Sequence, residues 1–301
     1  MMEQRILAPV TLRARATCFV ELLRTTPAQT VCPNFFILAH ASGCPFAPQC
    51  RYCYLKSSFW NLRKPEAFTN IDQMLQDVRR WIARDDLEAY VLNTGNLSDS
   101  LAFEEARPLA GELVELFRLH ATGRRHTLLL LTKGGLRECR PLLEREPCDR
   151  VVVSFSLNAS AAAERFEPGV PTPAERFEAA RTLLERGWRV RLRIDPMIAG
   201  FDYHDMVEEI RRLRPERITI GSLRAEKSLT RFTEKGLFEG LEALANQDGL
   251  WRYPRDQRIA MYRSAVERLR DVAPLGLCEE TADIWDELGL DKDAKSCNCG
   301  E

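Results

Sequence analysis

The sequence predicts an α/β fold, a partial (β/α)6 barrel with a mostly helical C-terminal extension, on three observations. Six short β-rich runs alternate with stretches of helical periodicity. The alternation stops after Arg224. The 301 residues, 45% of them hydrophobic, suffice for one large core.

The elements follow in order. After an irregular basic lead-in, residues 1–33, the run NFFILAHA at 34–41 reads as a buried apolar strand. A loop containing glycine, prolines and cysteines comes next, then a helical stretch over 70–84. YVLNTG, HTLLLLT, RVVVSFSLN, RVRLRIDPMI and RITIGSL are the next five strands, separated by helical patterns at 103–119, 136–145, 174–186 and 203–214. Strands alternating with helices imply a parallel sheet with right-handed crossovers. Six units are too few for a closed eight-stranded barrel, yet in a full or a partial barrel the chemistry sits at the C-terminal ends of the strands. The barrel is therefore expected over 34–224. Residues 225–301 are expected to form an extension covering the site, with YPRDQR, an amphipathic helix at 258–271 and a final KSCNCGE. No repeat or linker marks a second domain.

Lys and Arg total 43 against 44 acids, so the whole-chain charge of an obligate nucleic-acid binder is missing, and only a local basic face remains open. No apolar run is long enough to span a membrane, and the opening lacks the pattern of a secretory signal, so a cytoplasmic location is expected. Ten cysteines in a reducing compartment point to metal binding or redox chemistry rather than to disulfides.

Cys44, Cys50 and Cys53 lie together in CPFAPQCRYCYL. Three thiolates can ligate three irons of a [4Fe-4S] cluster and leave the fourth open to an exogenous ligand. Half of a zinc ribbon, which needs a further Cys or His pair, and an unrelated group of thiols are the alternatives. The position after the first strand, and the aromatic Tyr54 after the last cysteine, favour iron.

In the loop CRYCYL after strand one the chain resembles the radical S-adenosylmethionine (SAM) superfamily. There three cysteines bind the cluster while the amino and carboxylate groups of SAM chelate the fourth iron. The usual first gap in that family is three residues; here it is five, and Pro45 and Pro48 restrict the longer segment. More specifically, the chain resembles the spore photoproduct lyase family through CRYCYL, NLSDSLAFE, LTKGG, SFSLN, RIDPMI, GSLR, YPRDQR with MYR, and its cysteine-rich end. The resemblance implies reductive cleavage of SAM to a 5′-deoxyadenosyl radical that abstracts hydrogen, with flavodoxin or ferredoxin as electron donor. It also implies SAM contacts from Ser98, Asp99, Lys133 and Ser156. Tyr54, the strand-end residues Thr94 and Gly95, and an inward Arg193 join them as candidate cofactor contacts. For Ser98 and Asp99 a helix N-cap is the competing reading, for Lys133 a solvated loop lysine, and for Arg193 an ion pair with Asp195 that closes the barrel. Met197 and Ile198 are expected to pack on the adenine.

One position departs from the family. Its hydrogen-donor cysteine, two residues before the Ser-Asp pair, is here Asn96, and an amide N–H bond is too strong to give a hydrogen atom to a carbon radical. The expectation is therefore not a genuine photoproduct lyase. Cys278, Cys297 and Cys299 are replacement donors, ligands of a second cluster or zinc, or an inert end; Cys18, Cys32 or a histidine could complete such a site. Cys18, Cys32, Cys139 and Cys148 are otherwise expected as buried thiols, and the four histidines show no metal spacing. Arg224, Arg252, Tyr253, Arg255, Arg258, Tyr262 and Arg263 suit phosphate and base contacts, against an ion-paired helix face with Asp256 and Glu267. A nucleotide, a nucleic acid or a small molecule is the expected substrate. A zinc-stabilised nucleic-acid-binding protein without catalysis is the rival function.

Overall fold

The computed structural model describes residues 7–23, 29–243 and 250–301. All six expected strands are present: β1 (Phe36–Leu38), β2 (Val91–Asn93), β3 (Thr127–Thr132), β4 (Val151–Leu157), β5 (Arg189–Met197) and β6 (Arg217–Ser222). Between them run α1 (Ile71–Ile82), α2 (Ala110–His120), α3 (Leu136–Leu143), α4 (Pro173–Glu185) and α5 (His204–Leu213). The segment after 224 adds a seventh unit, because α6 (Arg255–Leu269) leads into β7 (Leu275–Leu277), which pairs parallel to β6. A short strand, Val20–Leu22, pairs antiparallel with β1, so that eight strands lie in sequence order in one open sheet. The extension also holds short strands at Arg224–Glu226, Glu242–Ala243 and Leu250–Arg252, which form a small antiparallel sheet.

Local chemistry fixes the boundaries. The 34–41 run divides, because Ala41–Ser42 turns away to pair with Glu66–Phe68. The helix expected from 103 begins at Ala110 instead. Pro108 precedes it, and the Glu104 carboxylate accepts the free N–H groups of Leu109 (3.1 Å) and Ala110 (2.9 Å). At α4, Thr172 and Glu175 form a reciprocal capping box, with Pro173 at the first helical position.

Every residue of β4 is buried, as expected of a strand covered on both faces. Val151, Val153 and Phe155 pack toward the helices with Leu128, Val190 and Ile218, while Val152 joins Ile37, Val91 and Leu129 on the other face. That inner face turns polar toward the C-terminal ends of the strands. Leu131, Ser154, Arg191 and Arg217 are register neighbours, and the next row is Ser156, Arg193, Thr219 and Gly276. The last six residues cross the lower rows. Arg191 donates to the carbonyls of Asn298 (2.6 Å) and Gly300 (2.8 Å), Arg217 to those of Cys297 (3.0 Å) and Glu301 (2.5 Å), and Ser154 to the Asn298 side chain (2.7 Å). Only glycine fits at 276, since a Cβ there would lie 2.4 Å from the Cys297 nitrogen. No helix among the described residues is long and apolar enough to cross a membrane.

Candidate cofactor site

The cysteine loop follows β1. Cys50 is buried, Cys44 and Cys53 are half-buried, and all three touch one apolar cluster with Phe46, Tyr52 and Phe166. Burial pushes each thiol up, with Asp99 and the other two cysteines adding for Cys44; Cys50 is pushed up to about 12, Glu167 adding to burial. Bare, these are neutral thiols, and coordination to metal is what converts such groups to thiolates. Among the described residues no three His, Cys, Asp or Glu side chains converge on a single ion. Three thiols carried on one loop are the donor type that a [4Fe-4S] cluster takes, and in that respect the residues present fit the group.

The end of β2 is tied to this loop. The Tyr54 phenol, 47% exposed, donates to the Asn96 carbonyl. His40 is buried behind it. Arg107, always a donor, faces its Nδ1 (2.8 Å), so Nε2 carries the proton toward Ser98 Oγ (2.8 Å) and the Thr94 carbonyl (3.1 Å). Burial and Arg107 push the His40 pKa down to about 3. Thr94 Oγ1 lies 2.6 Å from Ser100 Oγ, and the Gly95 N–H donates to Asn93 (2.8 Å). Asp99 accepts from Leu101 N (3.0 Å), Ala102 N (3.1 Å), Thr132 Oγ1 (2.8 Å) and Lys133 N (2.8 Å). It therefore caps the following turn and also pins the strand end that carries Lys133.

Lys133 extends to the cysteine loop: its Nζ is 3.8 Å from Glu167 and 5.8 Å from the centre of the Tyr52 ring. Glu167 is fully buried between Arg176, the Tyr52 hydroxyl and Lys133. Burial alone would raise its pKa, but the charges of Arg176 and Lys133 and two hydrogen bonds outweigh that and hold it at about 2. Arg176 also donates to the Ser156 carbonyl (2.9 Å), while the Ser156 side chain is buried beside Arg193 in register.

Arg193 and Asp195 form the expected ion pair, and Arg224 joins it: its Nη1 donates to Asp195 (3.0 Å) and its Nε to Glu279 (2.6 Å). Cys278, just past β7, accepts contacts from Arg224 (3.2 Å) and Arg193 (3.4 Å). Burial and Asp195 push its thiol well up despite these arginines. Met197 and Ile198 are buried in the two main apolar clusters. The tail cysteines divide, because Cys278 stands at the strand ends whereas Cys297 abuts Gly276 and Cys299 packs near Ile37, Val91 and Leu129.

Two expectations need correction. Cys139 and Cys148 are buried, but Cys18 is exposed and Cys32 half-buried, because the lead-in runs along the open edge of the sheet. Arg252, Tyr253, Arg258 and Tyr262 are buried and offer no substrate surface. Arg258 and Tyr262 of α6 both bond to Glu280 (3.0 Å each) rather than facing Asp256 or Glu267, while ahead of the helix Arg252 donates to the Glu279 carbonyl (2.8 Å) and the Tyr253 hydroxyl accepts the Ala199 N–H (3.2 Å). Sequence reading also missed Glu167, Arg176 and His40. The nearest signal was the E-x8-R spacing across FEPGVPTPAER, with no indication that its glutamate turns toward a loop 115 residues earlier.

Comparison with known proteins gives a consistent result. A spore photoproduct lyase from Geobacillus sp. (strain Y412MC61) is 23% identical over 226 residues, 73% of this chain and 64% of that protein. One from Bacillus subtilis (strain 168) is 21% identical over 185 residues, 61% of this chain and 52% of that protein. The chain thus spans less than two thirds of either relative. A solved spore photoproduct lyase complexed with dinucleoside spore photoproduct superposes with a TM-score of 0.72 at 16% identity, over 89% of this chain and 81% of that one. A variant with bound AdoMet and dinucleoside spore photoproduct gives 0.73 at 16%, over 91% and 82%. These structures share the partial-barrel fold. The model of the family described as "Spore photoproduct lyase" matches residues 12–236, and on that match the chain belongs to the spore photoproduct lyase family.

Proposed function

We propose that the chain is a radical SAM enzyme whose [4Fe-4S] cluster is held by Cys44, Cys50 and Cys53. The observation that carries this reading is three thiols sharing one apolar cluster on the loop after β1, at the polar end of a parallel sheet, with Lys133 reaching the same loop. A cluster bound there, with SAM on its open iron, supplies reductive cleavage of SAM to methionine and a 5′-deoxyadenosyl radical. The chain's own residues position and shield. Lys133 offers a cation for the SAM carboxylate, Asp99 fixes the backbone that carries it, and Tyr54 ties the loop to the β2 end.

With Asn96 at the family's donor position, Cys278 is the thiol best placed to return a hydrogen atom. It lies at the strand ends, and burial keeps it protonated. A nucleotide or nucleic-acid substrate is supported by the stretch that follows the cysteines, where Trp60 is 71% exposed beside the exposed Arg63 and Lys64.

The test is anaerobic reconstitution followed by dithionite reduction with SAM. Wild type is expected to release 5′-deoxyadenosine and Cys50→Ala to release none; a wild type loaded with four irons per chain that leaves SAM intact would overturn the reading. The substrate proposal predicts that Trp60→Ala weakens binding of single-stranded oligonucleotides by about 1–3 kcal/mol, one stacked base. Unchanged binding in a fluorescence titration would count against it.

A further inference from the structure

The cysteine loop is braced from one side by residues 166–169, which lie between β4 and α4. The Arg51 N–H donates to the Phe166 carbonyl (2.8 Å), the Tyr52 hydroxyl donates to Glu167, and the Pro48 carbonyl rests on Gly169. A Cβ on residue 169 would lie 2.1 Å from that carbonyl oxygen and 2.5 Å from the Ala47 carbonyl carbon, closer than any side chain allows. Ala47 and Pro48 belong to the five-residue gap between Cys44 and Cys50, and Tyr52 lies between Cys50 and Cys53. The contacts therefore fall within both gaps.

Glu167 needs its own support to serve as an anchor, since a lone buried carboxylate is costly. It receives Arg176, whose side chain is fully buried and also donates to the carbonyls of Pro171 (2.7 Å) and Ser156 (2.9 Å). Asn158 donates to it (3.4 Å), and Lys133 lies 3.8 Å away. One carboxylate thus links the cysteine loop, the β4 end and the lysine after β3.

We propose that residues 166–169 form a platform, with Glu167 as its positioning residue, that holds the wide cysteine loop in the conformation that binds the cluster and sets Lys133 beside it. This rests on the reading that the loop carries a cluster. Outer partners that orient metal ligands are worth roughly 10–100-fold in metal affinity. A platform of this kind also accounts for how a five-residue first gap stays ordered: the added length docks on a glycine rather than hanging in solvent.

The experiment uses the full chain, reconstituted anaerobically. Iron and sulfide per chain, and the half-life of the absorbance near 400 nm under a chelator, are compared for wild type, Tyr52→Phe, Glu167→Gln, their double variant and Gly169→Ala. Ile210→Ala on α5 is the control; it opens a core cavity far from the loop and tests whether lost stability alone releases iron. The platform predicts roughly tenfold faster cluster loss for Tyr52→Phe, Glu167→Gln and Gly169→Ala. It also predicts a double variant no worse than Glu167→Gln, and a control with wild-type half-life. Should Glu167→Gln fail to fold, Tyr52→Phe, which removes one hydroxyl, decides. A wild type that takes up iron alongside folded variants with the same half-life overturns the platform and leaves the cluster reading standing. A wild type that takes up no iron overturns both.

Discussion

At the scale of single residues, two buried carboxylates organise the site in different ways. Asp99 accepts four hydrogen bonds, two from the end of β3 and two from the turn that follows Asp99 itself. Asp99→Ala leaves those donors buried without an acceptor and is expected to cost about 3 kcal/mol or more, read from the denaturant midpoint; a shift under a few tenths of that would contradict the assignment. Glu167 gives a pH signature. Its pKa falls from an ordinary 4.5 to about 2 on folding, so its contribution is fully present above the ordinary value and is lost as pH falls from about 4.5 toward about 2. Glu167→Gln should lack that part of the acid slope in an apo-protein pH melt. That Cys44, Cys50 and Cys53 come together on one loop was legible in the sequence because their spacing is local. Glu167 was not, because Tyr52 lies 115 residues away and no local pattern records the contact.

At the scale of elements, strand and helix existence followed from periodicity, while ends and additions followed from tertiary contacts. β7 is only Leu-Gly-Leu, too short to carry a period, and joins the sheet because β6 offers it an edge. The start of α2 was misplaced because a carboxylate outside the helix supplies its cap. The C-terminal residues read as a donor pair, a metal site or an inert end, yet their backbone carbonyls satisfy two inward arginines. Deleting residues 296–301 is therefore expected to destabilise the protein by about 3 kcal/mol or more, chiefly because the buried Arg191 guanidinium loses the Asn298 and Gly300 carbonyls. A thermal melt of the truncated chain checks this; an unchanged midpoint would show that the tail closes nothing.

At the scale of the whole molecule, the order of the sheet and the polar strand ends were predictable from six alternating units, because parallel connectivity leaves few topologies. The join between barrel and extension is tighter than a boundary at 224 suggests. β7 covers β6, and Tyr262 of α6 accepts the Ser222 N–H (2.9 Å). A chain ending at 224 is expected to lose cooperative folding, whereas a sharp melt would establish the barrel as a separate domain. The central claim is that Cys44, Cys50 and Cys53 hold a cluster with one iron free for SAM. Low-temperature EPR of the reduced, reconstituted chain tests it most directly: the account predicts a [4Fe-4S]⁺ signal that changes shape when SAM is added and is absent in Cys50→Ala. An EPR-silent protein carrying zinc, or a cluster signal indifferent to SAM, would contradict it.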